Sequence, residues 1–149
     1  MRHSIAFLLP LIGILAAAGS AQAQVNTNGG DLAIGGYDPV GYFTDGRAVR
    51  GSAEHSLEHG GATWRFASAE HRAMFERSPA RYLPRYGGYC AYAMAMGRLQ
   101  RIDPNAFSVV NGKLYLNYSL DIRTRWLEDR DDYIRQADGH WPTVRRSAR

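Results

Sequence analysis

The sequence holds a single cysteine, Cys90, in 149 residues. A lone thiol cannot close an internal disulfide, and it excludes a CxxC redox pair, a CxxCH haem attachment and a four-cysteine zinc site. No Ser-His-Asp, paired-carboxylate or phosphate-loop pattern occurs, so no hydrolase or transferase class is indicated and no enzymatic class is assigned. Long apolar runs are equally scarce. Ile5 to Ala18 is one, and no second run of membrane length follows. No internal repeat is read.

That one run is preceded by Arg2 and His3 and followed by Ala21-Gln22-Ala23, a small-x-small site. A basic start, a short apolar centre and such a site describe a secretory signal peptide over residues 1–23. The run is short for a bilayer, and Pro10 interrupts it. The expectation is a periplasmic or secreted chain starting at Gln24, with no membrane span after cleavage. Residues 24–149 are 126 in number, about one ordinary domain. Losing Arg2 lowers the formal charge from +4 to +3. That excess does not argue for nucleic acid, because Arg145, Arg146 and Arg149 sit in the tail, where a charge run is usually solvated.

The local pattern predicts an α+β chain of short antiparallel hairpins packed against several short helices. Residues 24–33, polar and Gly-rich, read as a flexible linker. Tyr37–Phe43 leads into a short strand, with Asp45-Gly46 as a turn before Arg47–Arg50. His55–Glu58 and Ala62–Phe66 flank His59-Gly60-Gly61, a hairpin. Ser68 caps a helix to about Arg77, and Ser78-Pro79 starts a further turn through Tyr82. Ala106–Val110 and Lys113–Asn117 flank Asn111-Gly112, the strongest hairpin signal in the chain. Ser119 caps a final helical region that the charged patch Glu128–Asp132 can break in two. Gly139 and Pro142 are expected to end it, leaving 143–149 as a disordered basic tail.

These pieces resemble a known family. Gly36-Tyr37-Asp38-Pro39-Val40, then Trp64-Arg65-Phe66-Ala67-Ser68, His71, Phe75, Pro79 and Tyr82, resemble the YHS domain. With Tyr86 to Tyr92 and Asn111 to Ser119 included, the chain is similar to exported stand-alone YHS domain proteins of bacteria, over roughly residues 34–142. The resemblance implies metal handling, since YHS domains accompany copper-transporting ATPases and multicomponent monooxygenases. It also shows departures. Metal-associated members carry cysteines where this chain has Gly41 and Ala67, and a third where it has His71, which can still bind a metal. In the exported branch the glycine-tyrosine-cysteine segment is characteristic, which implies that Cys90 is chemically used.

Read from the residues alone, Cys90 follows a Gly87-Gly88 turn and precedes Ala91 to Met96, strong helix formers that Gly97 terminates. In the first turn of such a helix the dipole and free N–H groups would lower the thiol pKa. Met94, four residues on, would share its face and add a thioether, a soft pair suited to Cu(I). His71, His55 or His59 would then have to complete the site. Tyr86, Tyr89 and Tyr92 are more simply core aromatics. Three readings stand. One is a soft-metal module with a copper ion on Cys90, Met94 and His71, its partner a metal ion or a metal-handling protein. The second is a thiol-redox protein needing an external reductant. The third is an interaction domain with Cys90 buried.

Overall fold

Two β-hairpins, each followed by a serine-capped helix, are built to one plan. The structure is a computed structural model and describes residues 24–147; the signal-peptide reading falls outside them. The 3-10 turn Ala33–Gly36 leads to the short helix α1 (Gly41–Thr44), and then to the antiparallel strands β1 (Ser52–His59) and β2 (Ala62–Phe66). Helices α2 (Ala69–Arg77) and α3 (Pro79–Tyr82) close this half. The second half repeats the order. It has a 3-10 turn Arg85–Gly88, α4 (Ala91–Ala95), the antiparallel pair β3 (Asp103–Val110) and β4 (Lys113–Asn117), α5 (Leu120–Glu128) and α6 (Arg130–Ser147). The fold is α+β, with the two-stranded sheets and short helices that the pattern predicts. No helix among the described residues is long and apolar enough to cross a membrane.

The correspondence extends to details that local propensity does not demand. In the first hairpin the pairing jumps from Ser52↔Phe66 to Ser56↔Arg65. Fifty-one residues on, the second jumps from Asp103↔Asn117 to Phe107↔Leu116, the same bulge. Ser68 Oγ accepts the His71 N–H at 3.1 Å, and Ser119 Oγ accepts the Ile122 N–H at 3.1 Å. Both entry turns carry three residues at positive φ, Ile34-Gly35-Gly36 and Tyr86-Gly87-Gly88. Positive φ at Ile34 (44°) and Tyr86 (56°) is strained, more so for the β-branched residue. Each costs about 1–3 kcal/mol and persists because burial fixes the side chain. The two halves repeat one arrangement, and the expectation of no internal repeat is corrected. Little of the likeness shows in the sequence, where Gly-Gly-Tyr recurs at 35–37 and 87–89.

Each half has its own apolar cluster. Ile34, Val40, Trp64, Phe66 and Phe75 form the first; Tyr86, Met94, Tyr115, Trp126 and Ala137 form the second. Strand β4 joins them, because side chains alternate across a strand. Leu114 and Leu116 enter the first cluster and Tyr115 the second.

Three expectations are corrected. Tyr37–Phe43 does not lead into a strand, because the Asp38 carboxylate takes the Val40 and Gly41 N–H groups and turns the chain into α1. Residues 24–33 are not a loose linker. Asn26 is buried, its N–H donates to Gly87 O at 2.8 Å, its Nδ2 to Gly88 O at 3.0 Å, and its carbonyl accepts the Ile34 N–H. The last helix does not stop at Gly139 or Pro142, and residues 143–147 are helical rather than disordered. A proline inside a helix costs about 3 kcal/mol. Here Trp141 and Val144, on either side of Pro142, pack on the second cluster and offset that cost.

Candidate functional site

Asp38 and Cys90 occupy the same position in the two halves, each between the Gly-Gly-Tyr turn and a short helix. Asp38 is fully buried and acts as a clasp. Its Oδ1 accepts the N–H groups of Val40 (2.8 Å) and Gly41 (3.3 Å), and its Oδ2 accepts that of Ala67 (2.9 Å). His71 Nδ1 lies 2.6 Å from Oδ2. A carboxylate only accepts, so that nitrogen carries the proton. The other ring nitrogen lies 3.2 Å from Thr44 Oγ1. The imidazole therefore fills the space between Asp38 and Thr44, with both nitrogens engaged.

Cys90 is set in the same kind of cradle. It caps α4, and its N–H donates to Gln100 O at 3.0 Å, as that of Asp38 does to Val49 O. The Ala93 N–H donates to Sγ (3.5 Å) and that of Tyr118 also favours its anion, while the Tyr92 N–H donates to Asn117 Oδ1 at 3.1 Å beside it. These are the counterparts of Gly41, Ala67 and Val40. The thiol in turn donates to Asn117 Oδ1 at 3.6 Å. Asn117 is fully buried, and among the described residues its Nδ2 has no partner. Burial outweighs the N–H groups and pushes the Cys90 pKa above its ordinary value. The expected lowering is thus reversed: donors are present, but the burial of the thiol outweighs them.

Above Cys90 opens a cleft of about 230 Å³, walled by Tyr92, Met96, Arg98, Leu99, Tyr118 and Ile122. Met96 and Ile122 are the counterparts of Thr44 and His71. Where the first half places an imidazole, the second has the shorter, apolar Ile122 and leaves open space between a thiol and a thioether. Met96 is 43% exposed, unusually high for its type, so it forms the mouth while Cys90 forms the floor.

The expected ligand set is not brought together in this way. Met94 is sealed in the second cluster with Trp126 and Ala137, and it does not line the cleft. The spacing rule assumed that Cys90 lies inside the helix, but Cys90 is its N-cap, and it is Met96, the C-cap, that lines the same cleft. His71 belongs to the Asp38 clasp. His59 stacks edge-on against Phe75, and His55 lies on β1. Among the described residues, no three His, Cys, Asp or Glu side chains group as metal ligands. Tyr86 bonds Asp138 through its hydroxyl, Tyr89 accepts from Gln24, and of the three tyrosines only Tyr92 walls the cleft. Asp38, Met96 and Asn117 were missed as site residues. Aligning Gly-Gly-Tyr-Asp on Gly-Gly-Tyr-Cys would have found the first two. No family model, curated protein or solved structure matches the chain.

Proposed function

We propose that the cleft over Cys90 is a soft-metal site that holds a copper(I)-like ion between the Cys90 sulfur and the Met96 thioether. One observation carries this reading: thiol and thioether line one cleft at the positions where Asp38 and Thr44 hold an imidazole. Thiolate and thioether are soft donors that select Cu(I) over harder ions. A bare thiolate is costly in an apolar cleft, whereas a thiolate paired with a monovalent cation is neutral. The N–H groups of Ala93 and Tyr118 offset the remaining charge on sulfur. Because burial keeps the thiol protonated, binding releases a proton and affinity rises with pH. Resemblance to the YHS domain supports the same class, and the signal-peptide reading puts the module in an exported compartment. A second reading, thiol redox chemistry, is favoured by the N–H groups converging on Sγ, which would hold a sulfenate as they hold a thiolate. There the thiolate attacks a peroxide, an S–O bond forms as the O–O bond breaks, and an external thiol must reduce the product.

Native mass spectrometry of the reduced protein offered Cu(I) tests the proposal. The expected adduct is 1:1, absent in Cys90→Ser, weakened in Met96→Leu and unchanged in Met94→Leu. An adduct retained in Cys90→Ser overturns it. No adduct, but a dimedone-trapped sulfenic acid after peroxide, replaces it with the redox reading.

A further inference from the structure

A second cleft, of about 360 Å³, lies at the tips of both hairpins and shares no lining residue with the first. Gly60 from one hairpin and Gly112 from the other reach it, and Trp141 of α6 forms a wall. The floor is close-packed: a Cβ on Gly87 would lie 2.0 Å from the Gln24 carbonyl oxygen and 3.2 Å from the Trp141 ring. Four cationic side chains line it, Arg81, Arg85, Lys113 and Arg145, and no carboxylate does. They come from α3, the Arg85–Gly88 turn, β4 and α6, so the fold gathers them from four separate elements.

Their charges are largely unanswered. Arg85 bonds Asp138 at 3.2 Å, and among the described residues no ion pair forms to Arg81, Lys113 or Arg145. Arg85 Nε is buried and has no partner among the described residues. Its guanidinium is held over the Tyr86 ring at 5.7 Å, while the Tyr86 hydroxyl donates to the same Asp138 carboxylate. One cation is therefore pre-positioned with a donor to spare. Cations converging on one concave site repel each other and focus a positive potential, which an anion relieves. The aromatic wall beside them suits an apolar body.

We propose that this cleft binds a small organic anion, a carboxylate or phosphate ester on an apolar or aromatic body, with Arg85, Lys113 and Arg145 taking the anionic head and Trp141 packing on the body. Isothermal titration calorimetry of the full chain tests it with naphthoate, phenyl phosphate, inorganic phosphate and neutral naphthalenemethanol. Naphthoate or phenyl phosphate should bind saturably at 1:1, whichever is tighter naming the head group. The neutral alcohol should bind about tenfold or more weakly, the worth of a charge-assisted hydrogen bond. Lys113→Gln and Arg145→Gln, both exposed and so expected to leave the melting temperature unchanged, should each weaken binding by about tenfold. Cys90→Ser should leave it unchanged, so this result is independent of the metal reading. No heat from either organic anion at millimolar concentration overturns the proposal, as does equal binding of the neutral alcohol or unweakened binding in both Lys113→Gln and Arg145→Gln. Inorganic phosphate binding as tightly as both organic anions overturns the role of the apolar wall.

Discussion

Asp38→Ala should be among the most damaging single substitutions in the first half. It removes the acceptor of three backbone N–H groups and of the His71 imidazole, at 2.6–3.3 Å and with no exposed surface. Each orphaned buried donor costs about 1–3 kcal/mol. Water admitted to the vacated space would satisfy some of them, so the net loss should be about 4 kcal/mol, within the range for breaking a buried charged network. A domain of this size holds about 5–15 kcal/mol in all. The melting temperature should fall by about 15 °C at roughly 4 °C per kcal/mol. Asp38→Asn should cost less, because it keeps one acceptor oxygen while its amide faces donors. His71→Ala should cost less still, since the carboxylate keeps its backbone partners. Urea and thermal melts followed by tryptophan fluorescence give all three. An Asp38→Ala loss below about 1 kcal/mol, or His71→Ala costing more than Asp38→Ala, would refute the clasp.

The equivalence of the halves predicts that Cys90→Asp alone destabilises, by burying a carboxylate without an imidazole. Adding Ile122→His should recover stability, with a double-mutant coupling of about 1–3 kcal/mol; zero coupling counts against the equivalence. Burial raises the pKa values of Cys90, Tyr42 and Tyr86, so above each group's ordinary value the folded chain holds more protons than the unfolded one. Stability should therefore be full below about pH 9 and fall as pH rises from there, and Cys90→Ser should delay the onset; urea midpoints from about pH 7 to about pH 11 measure this. Pro142→Ala restores an N–H donor inside α6 and should raise stability by up to about 3 kcal/mol, while Trp141→Ala should lower it by about 2 kcal/mol. A melting temperature that Trp141→Ala leaves unchanged would show that the end of α6 adds nothing to the core.

Features set by neighbours in sequence were legible without a structure. Ser68 and Ser119 act on N–H groups three residues away, Asn111-Gly112 sits in the turn it specifies, and the break in the last helix falls inside Glu128–Asp132. Features set at a distance were not. Asp38 reads locally as a turn residue, and its role depends on Ala67 and His71, brought to it by the β2–α2 connection. The tail composition around Gly139 and Pro142 argued for a stop, but helix ends obey tertiary contacts as well as propensity, and Trp141 had a core to reach. The Cys90 environment failed for a related reason. Sequence spacing shows the N–H groups at a helix start, but not the desolvation that opposes them.

The repeated arrangement explains why a lone cysteine sits in so elaborate a cradle. In the first half three N–H groups converge on Asp38, two from the start of α1 and one from the β2–α2 junction; in the second the Ala93 N–H reaches Sγ while that of Tyr92 is taken by Asn117. Such a cradle favours an anion. In the first half the group is a carboxylate, and His71 of α2 fills the space beside it at 2.6 Å. In the second half the anion-forming group is a thiol, and Ile122 stands at the histidine position, so nothing in the described chain answers it except the Asn117 amide oxygen. Burial raises the thiol pKa, so under the proposed function a metal would have to displace the proton on entering the cleft that Cys90 and Met96 line. The two halves thus differ in what stands beside the buried acid group: an imidazole at 2.6 Å in the first, and an open cleft in the second, which under the proposed function is where the metal would sit.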